Sequence, residues 1–326
     1  FFLTAVGLIQ LFLFFGCKKE NPPPQNPPTT LQFDTYLTSS TPSASSDIRQ
    51  IFIDNLNQKW VATQNGLLLY DNINWTIYDS TTLGLPSNKY NCVLVDQNNI
   101  VWAGTNNGLL KYDGNTWTEY NMLNSSLPVN KIRSLVVDQN NLLWIGTYSG
   151  GGLCNFDGTN WNVYTPANSG LPNNSVGVLA IDTLNTIWVG TGGGLANFDG
   201  INWNIYTIGN SGLANNSVYS IAVDENNKKW VGTNGGVSVF DDVSWTTYNS
   251  ANSGLPFNLV RTIVAIQASE KWIGTEGMGL TMFNDINWLV YDESNSNLPS
   301  EYINCIAIDQ NSKKWVGTKN GIVVIQ

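Results

Sequence analysis

One four-residue string recurs seven times in phase along this chain. Trp-x-Gly-Thr, written Trp-Val-Ala-Thr in the first copy, begins at Trp60, Trp102, Trp144, Trp188, Trp230, Trp272 and Trp315, with successive copies 42 to 44 residues apart. Six further tryptophans, at 75, 117, 161, 203, 245 and 288, keep step and complete the 13 in the chain. A period of about 40–45 residues with several short strands per unit is the mark of a β-propeller blade. The repeats fill nearly everything after residue 30, so one closed ring is expected rather than two domains of ordinary size.

Composition narrows the chemistry. The chain is 42% apolar and 12% aromatic, enough for a packed core, and only 12% charged. Asn, Gly, Ser and Thr dominate the remainder, which suits an extracytoplasmic surface. A net charge of −9 supplies no field to attract nucleic acid or an anionic membrane. The chain has no histidine, so Ser-His-Asp and Cys-His catalysis and His metal sites are excluded.

Residues 1–15 form an almost unbroken apolar run, followed by Gly16-Cys17-Lys18-Lys19-Glu20 and a Pro-rich stretch from Asn21 to Pro28. This segment resembles a bacterial lipoprotein signal peptide ending at a lipidated Cys17. Phe14 and Phe15 are bulkier than the usual residues before such a cysteine. A membrane-spanning anchor is the alternative, although the run is shorter than the about 20 apolar residues a span needs. The expectation is a signal peptide over 1–17, a linker over 18–30 and a propeller over 31–326. Cys-Lys-Lys-Glu further resembles the start of lipoproteins on the outer membrane of Gram-negative bacteria, surface-exposed or periplasmic. An eight-residue Pro-rich spacer at about 3.1 Å per residue would hold the ring roughly 25 Å from the bilayer.

The blade around Trp230 shows the pattern. Ser217 to Val223 reads as an innermost strand, and Asp224 to Asn227 as a turn in which Asp bonds the backbone and Asn tolerates positive φ. Lys229 to Thr233 is a second strand, Val237 to Phe240 a third, and Trp245 to Tyr248 a fourth. Gly232 lies on the same face as Trp230, where a missing side chain lets a neighbouring sheet approach. Asn252 to Pro256 (Asn-Ser-Gly-Leu-Pro) crosses to the next blade. The fourth-strand pair Trp-x-x-Tyr occurs six times against seven Trp-x-Gly-Thr strands, and the sequence given stops after a third strand. Phe33-Asp-Thr-Tyr36 has the same aromatic spacing, so it is expected to pair with Gly321 to Ile325 and close the ring. Tryptophans repeated in every blade are core residues, not a sugar platform.

The repeat Ser-Val-x-Ser-Ile-Ala-Val-Asp-x-Asn-Asn-x-x-Trp-Val-Gly-Thr-x-x-Gly-Leu-x-x-Phe-Asp resembles the two-component regulator propeller repeat over roughly 47–326. That resemblance implies a binding module: a glycan- or ligand-detecting sensor region, or a stand-alone surface protein, without catalysis and without a cofactor. Streptogramin-type lyases share the seven-bladed architecture, but their mechanism relies on histidine.

Function is expected where the repeat symmetry breaks. The only arginines, Arg49, Arg133 and Arg261, share one position near the start of the innermost strand, where the other blades carry Asn91, Gly177, Tyr219 and Asn304. Three guanidiniums at one channel mouth could take a carboxylate, sulfate or phosphate; alternatively each packs its stem and bonds a loop carbonyl or an acid. The turns Tyr148 to Gly152 and Glu276 to Gly279 are longer than Gln64 to Gly66, which adds Tyr148, Glu276 and Met278 as loop candidates beside Tyr219. Cys92 and Cys305 are equivalent positions too distant for a disulfide, and with Cys154 they read as small buried residues. The Asp-x-Asn-Asn turns offer one carboxylate each, which suits turns rather than calcium, so no metal site is expected. Two binding functions stay open: a glycan or small anion at the channel mouth, or a protein partner on the same face, in a surface secretion or attachment complex. The membrane is reached only through the lipid.

Overall fold

A computed structural model describes residues 31–36, 46–85, 87–267 and 269–326. The expected signal peptide, Cys17 and the linker lie outside these residues. Seven four-stranded antiparallel sheets form the ring. Blades 1 to 6 take consecutive strands, spanning 48–78, 90–120, 132–164, 176–206, 218–248 and 260–291. Blade 7 takes its first three strands from 303–325 and its outer strand from Phe33–Tyr36, which pairs antiparallel in the register Phe33↔Ile325 to Tyr36↔Ile322. The expected closure is therefore present, and each of the seven blades has four strands. Tyr36 lies 5.5 Å from the Trp315 ring and Phe33 5.4 Å from Tyr291, so the borrowed strand also supplies the missing aromatic layer.

Each letter of the repeat has a structural reason. In blade 5, Asp224 Oδ1 accepts the backbone amides of Asn226 (3.0 Å) and Lys228 (2.9 Å), while its Oδ2 accepts the Trp230 indole N–H (3.0 Å). Both oxygens are thus occupied by the turn and the core. Asn227, at φ 60°, continues the turn and its side-chain oxygen accepts the Thr183 amide of blade 4. The threonine hydroxyl donates across the next turn, as from Thr233 to the Gly236 carbonyl at 2.9 Å. The glycine is set by the innermost strand of its own blade together with the neighbouring blade: a Cβ on Gly232 would fall 2.2 Å from Ser220 Oγ and 2.7 Å from Val260 Cγ1. Blade 6 departs from the rule, because its innermost strand Val260–Gln267 carries an extra irregularity between Ala265 and Gln267. There the Trp272 indole donates to Glu270 at 2.7 Å, in place of the turn Asp that accepts it in the other blades.

The outer tryptophans stack on the aromatic residue of the third strand, from 4.2 Å (Phe283–Trp288) to 4.8 Å (Tyr70–Trp75) between ring centres. None is among the exposed large side chains, so the aromatic ladder is core. Cys92, Cys154 and Cys305 are buried and unpaired, and burial pushes each thiol up to about 12.

Four blade junctions carry a feature that sequence reading missed. Lys59, Lys229, Lys271 and Lys314 precede the Trp of their second strands and place their ammonium groups 4.8 to 5.7 Å from the Trp of the preceding blade. Lys59 and Lys229 also approach that blade's turn carboxylate, Asp309 at 3.5 Å and Asp182 at 3.6 Å. Blades 2, 3 and 4 have Val101, Leu143 and Ile187 at this register. The signal lay in the residue before each Trp, where Lys looks like an ordinary solvent-facing strand residue.

Candidate functional site

The innermost strands surround a channel of about 1110 Å³. Every one of these strands has a register irregularity at its second residue, for example between Ile48 and Gln50, Ile132 and Ser134, and Val260 and Thr262. The residues skipped by the ladder are Arg49, Asn91, Arg133, Gly177, Tyr219, Arg261 and Asn304. A bulge leaves one residue out of the pairing and re-aims its side chain. This backbone device places all seven positions around the channel, and all seven line it. Arg261 holds the same bulge as Arg49 and Arg133, although its strand carries a second irregularity further along.

The seven positions divide by what they bond. Asn91 and Asn304 latch adjacent blades: the Asn91 side-chain amide donates to the Ile132 carbonyl (2.9 Å) and that of Asn304 to the Ile48 carbonyl (2.8 Å). Arg49 donates to Asp47 (2.9 Å) and, with the Gln64 amide oxygen turned toward it, to Gln64 (2.7 Å from Nε). Arg261 donates to Glu276 (2.6 Å from Nε) and lies 5.2 Å from the centre of the Tyr219 ring. These two arginines follow the bland reading, in which each bonds an acid. Arg133 does not: among the described residues it has no hydrogen-bond or ion-pair partner. Burial lowers its guanidinium pKa, and the charges of Arg49 and Arg261 lower it further. A guanidinium stays protonated despite such shifts, so the mouth holds one half-buried cation without an acid partner, with two more in electrostatic reach.

The loop candidates separate. Tyr148 lines the channel, is 44% exposed, and carries the Lys131 ammonium 4.7 Å from its ring centre. Glu276 is engaged by Arg261 and bridges to Tyr302 through the backbone. Met278 is half exposed and is not among the channel-lining residues, so it stands apart from the arginines. Asp47, Gln64 and Lys131 were missed in the sequence because their role depends on which loop folds over which bulge.

The family model of the two component regulator propeller matches residues 84–107, 126–149, 170–193 and 212–235, one segment in each of blades 2 to 5. No curated protein matches the chain. Among solved structures, the extracellular domain of a hybrid two component system from B. thetaiotaomicron is similar at TM-score 0.78 and 23% identity, covering 92% of this chain and 41% of that one. PorZ, a bacterial surface component of the type-IX secretion system of Porphyromonas gingivalis, is similar at TM-score 0.73 and 18% identity, over 89% of this chain and 48% of that one. This chain thus spans about half or less of both proteins. Virginiamycin B lyase from Staphylococcus aureus, in a form inactivated by replacing a histidine with alanine, is similar at TM-score 0.72 and 12% identity, over 90% of this chain and 98% of that one. The residue type lost in that inactive lyase is absent from this chain altogether. At these identities the likenesses speak to the fold. The phased Trp-x-Gly-Thr strands, the ring they build and the matched segments agree: the chain is a seven-bladed β-propeller in which four blades carry two component regulator propeller repeats.

Proposed function

We propose that this propeller is a non-enzymatic, sensor-like binding module that works outside the cytoplasm, tethered by a lipid on Cys17, and that it takes a glycan or other small anionic ligand at the channel mouth. The observation that carries this reading is Arg133: a guanidinium with no acid partner, drawn in by a bulge beside two others whose charges are already met by Asp47 and Glu276. Partly desolvating a charge without a counter-charge is costly, and an anion bound there offsets that cost. The extracellular sensor domain and the surface component that share the fold support an extracytoplasmic setting, as does the lipoprotein-like start of the sequence. With no histidine, a His-dependent lyase or a Ser-His-Asp hydrolase has no base.

The test is a thermal-shift screen of acidic and neutral glycans, run beside a folded Arg49→Ala, Arg133→Ala, Arg261→Ala variant. Stabilisation by acidic ligands that disappears in the variant is the expected result. No shift with any anion would refute the reading and favour a protein partner. The observation on that side is a set of exposed apolar residues on the crossing loops, Leu123 (95% exposed), Met122 and Phe257, on the face that carries the arginines.

A further inference from the structure

Around the mouth, one sector lacks side chains. Gly177 holds the bulge of blade 4, between Arg133 on blade 3 and Tyr219 on blade 5. A Cβ built on Gly177 would meet nothing nearer than the Val218 carbonyl at 3.5 Å. Gly192, at the turn following the second strand of the same blade, is equally open, with Asn173 Oδ1 4.0 Å away. Both glycines line the channel together with Asn173, Ser175 and Ser217. Asn173 uses its side-chain oxygen on the Ser175 amide (2.8 Å), and its NH₂ has no partner among the described residues. The vacancy is not a requirement of the fold. Blades 2 and 7 place an asparagine at the same bulge and use it as a latch, and the carbonyl such a latch would reach from blade 4, that of Val218, is in place.

We infer that the blade 4 notch is the seat of the ligand: a small hydroxylated monocarboxylate whose carboxylate is forked by Arg133 and whose hydroxyl groups face the amide and hydroxyl groups above Gly177 and Gly192. This rests on the anion-binding reading above and deepens it. Geometry selects the class. With Arg49 and Arg261 each set against one carboxylate, Arg133 is the arginine left to take an anion, and a carboxylate meets a guanidinium in the planar two-bond geometry that suits it; the Lys131 ammonium, which also lines the channel, adds to the attraction. The lining selects hydroxyls, because Asn173, Ser175 and Ser217 present donors and acceptors that an apolar acid would strip of water without replacing.

The test uses the full chain and calorimetric titration with sodium gluconate, the neutral gluconamide and sodium sulfate. Three variants go beside it: Arg133→Ala, Gly177→Asn and, as a smaller filler, Gly177→Ser, each checked for an unchanged melting temperature. Gluconate should bind better than gluconamide and sulfate, and both Arg133→Ala and Gly177→Asn should weaken it by about 10- to 100-fold, the worth of a charge-assisted pair. Full binding by both Gly177 variants with loss in Arg133→Ala would overturn the notch while leaving the anion site standing. Sulfate binding more tightly than gluconate would overturn the monocarboxylate class. Failure of every anion, here and in the glycan screen, would remove the anion site itself.

Discussion

The glycine of Trp-x-Gly-Thr gives a graded test of what holds adjacent blades together. At Gly104 a Cβ would lie 2.4 Å from Cys92 Sγ, 2.5 Å from Ile132 Cγ2 and 2.8 Å from Ile132 Cβ. The last atom is fixed to the backbone of blade 3, so no rotamer change relieves it. At Gly146 the tightest approach is 2.8 Å, to Val176 Cγ1, a terminal methyl, with Ser134 Cβ next at 3.3 Å. Neither glycine has a positive φ, so the cost of an alanine is steric rather than conformational. Overpacking of this kind costs about 1–3 kcal/mol. Gly104→Ala should fall near the upper end, about 3 kcal/mol, and Gly146→Ala near the lower, about 1 kcal/mol. Ala62, which holds the position in blade 1 and is fully buried, is the internal control: Ala62→Gly should also destabilise, by about 1 kcal/mol, because there the junction is built around a methyl group. Urea unfolding followed by Trp fluorescence reads all three. Equal small effects at Gly104 and Gly146, or stabilisation by either alanine, would refute the claim that close approach by its own innermost strand and the neighbouring blade sets the glycine.

Three further outcomes follow from the same structure. Lys229→Leu should cost about 3–5 kcal/mol, because it removes one member of a buried pair and leaves the Asp182 carboxylate without its cation; Lys229→Ala, which also leaves a hole against Trp188, should cost at least as much by thermal unfolding. Stability should be nearly flat from pH 5 to 8, since the chain has no histidine, and should fall in acid. Burial raises the Asp182 carboxyl, but the Trp188 indole, the Thr186 and Leu184 amides and Lys229 outweigh it, and hairpin amides hold Asp71, Asp113, Asp157, Asp199 and Asp241 low as well. These folded values lie below the unfolded one, so their stabilisation is complete above about pH 4 and is lost as the pH drops through them; a melting temperature unchanged between pH 5 and pH 2 would contradict this. Phe33→Ala with Tyr36→Ala should lower the melting temperature and promote aggregation by loosening the strand that covers the blade 7 edge, and light scattering reads the second effect directly.

Much of the architecture was legible because a repeat reports its own register. Seven Trp-x-Gly-Thr strings against six Trp-x-x-Tyr strings required one borrowed strand, and Phe33–Tyr36 matched by aromatic spacing alone. The shared position of Arg49, Arg133 and Arg261 was equally visible, since alignment of repeats needs no coordinates. What alignment could not show was the bulge that pulls this position out of the ladder, or that Asp47 and Glu276 answer two of the arginines and nothing among the described residues answers the third. Met278 looked equivalent to Tyr148 as a long-loop residue, yet only Tyr148 lines the channel.

The division has one physical cause. Strand pairing and turn chemistry act between residues near in sequence, and a period of about forty residues repeats them, so the sequence by itself determined the blade, the number of blades and the closing strand. The mouth of the channel is different. Its groups come from bulges and loops on blades that meet only when the ring closes, so the pairing of each arginine, the clasp of Lys229 on the Trp188 of another blade, and the open notch at Gly177 were decided by tertiary structure alone.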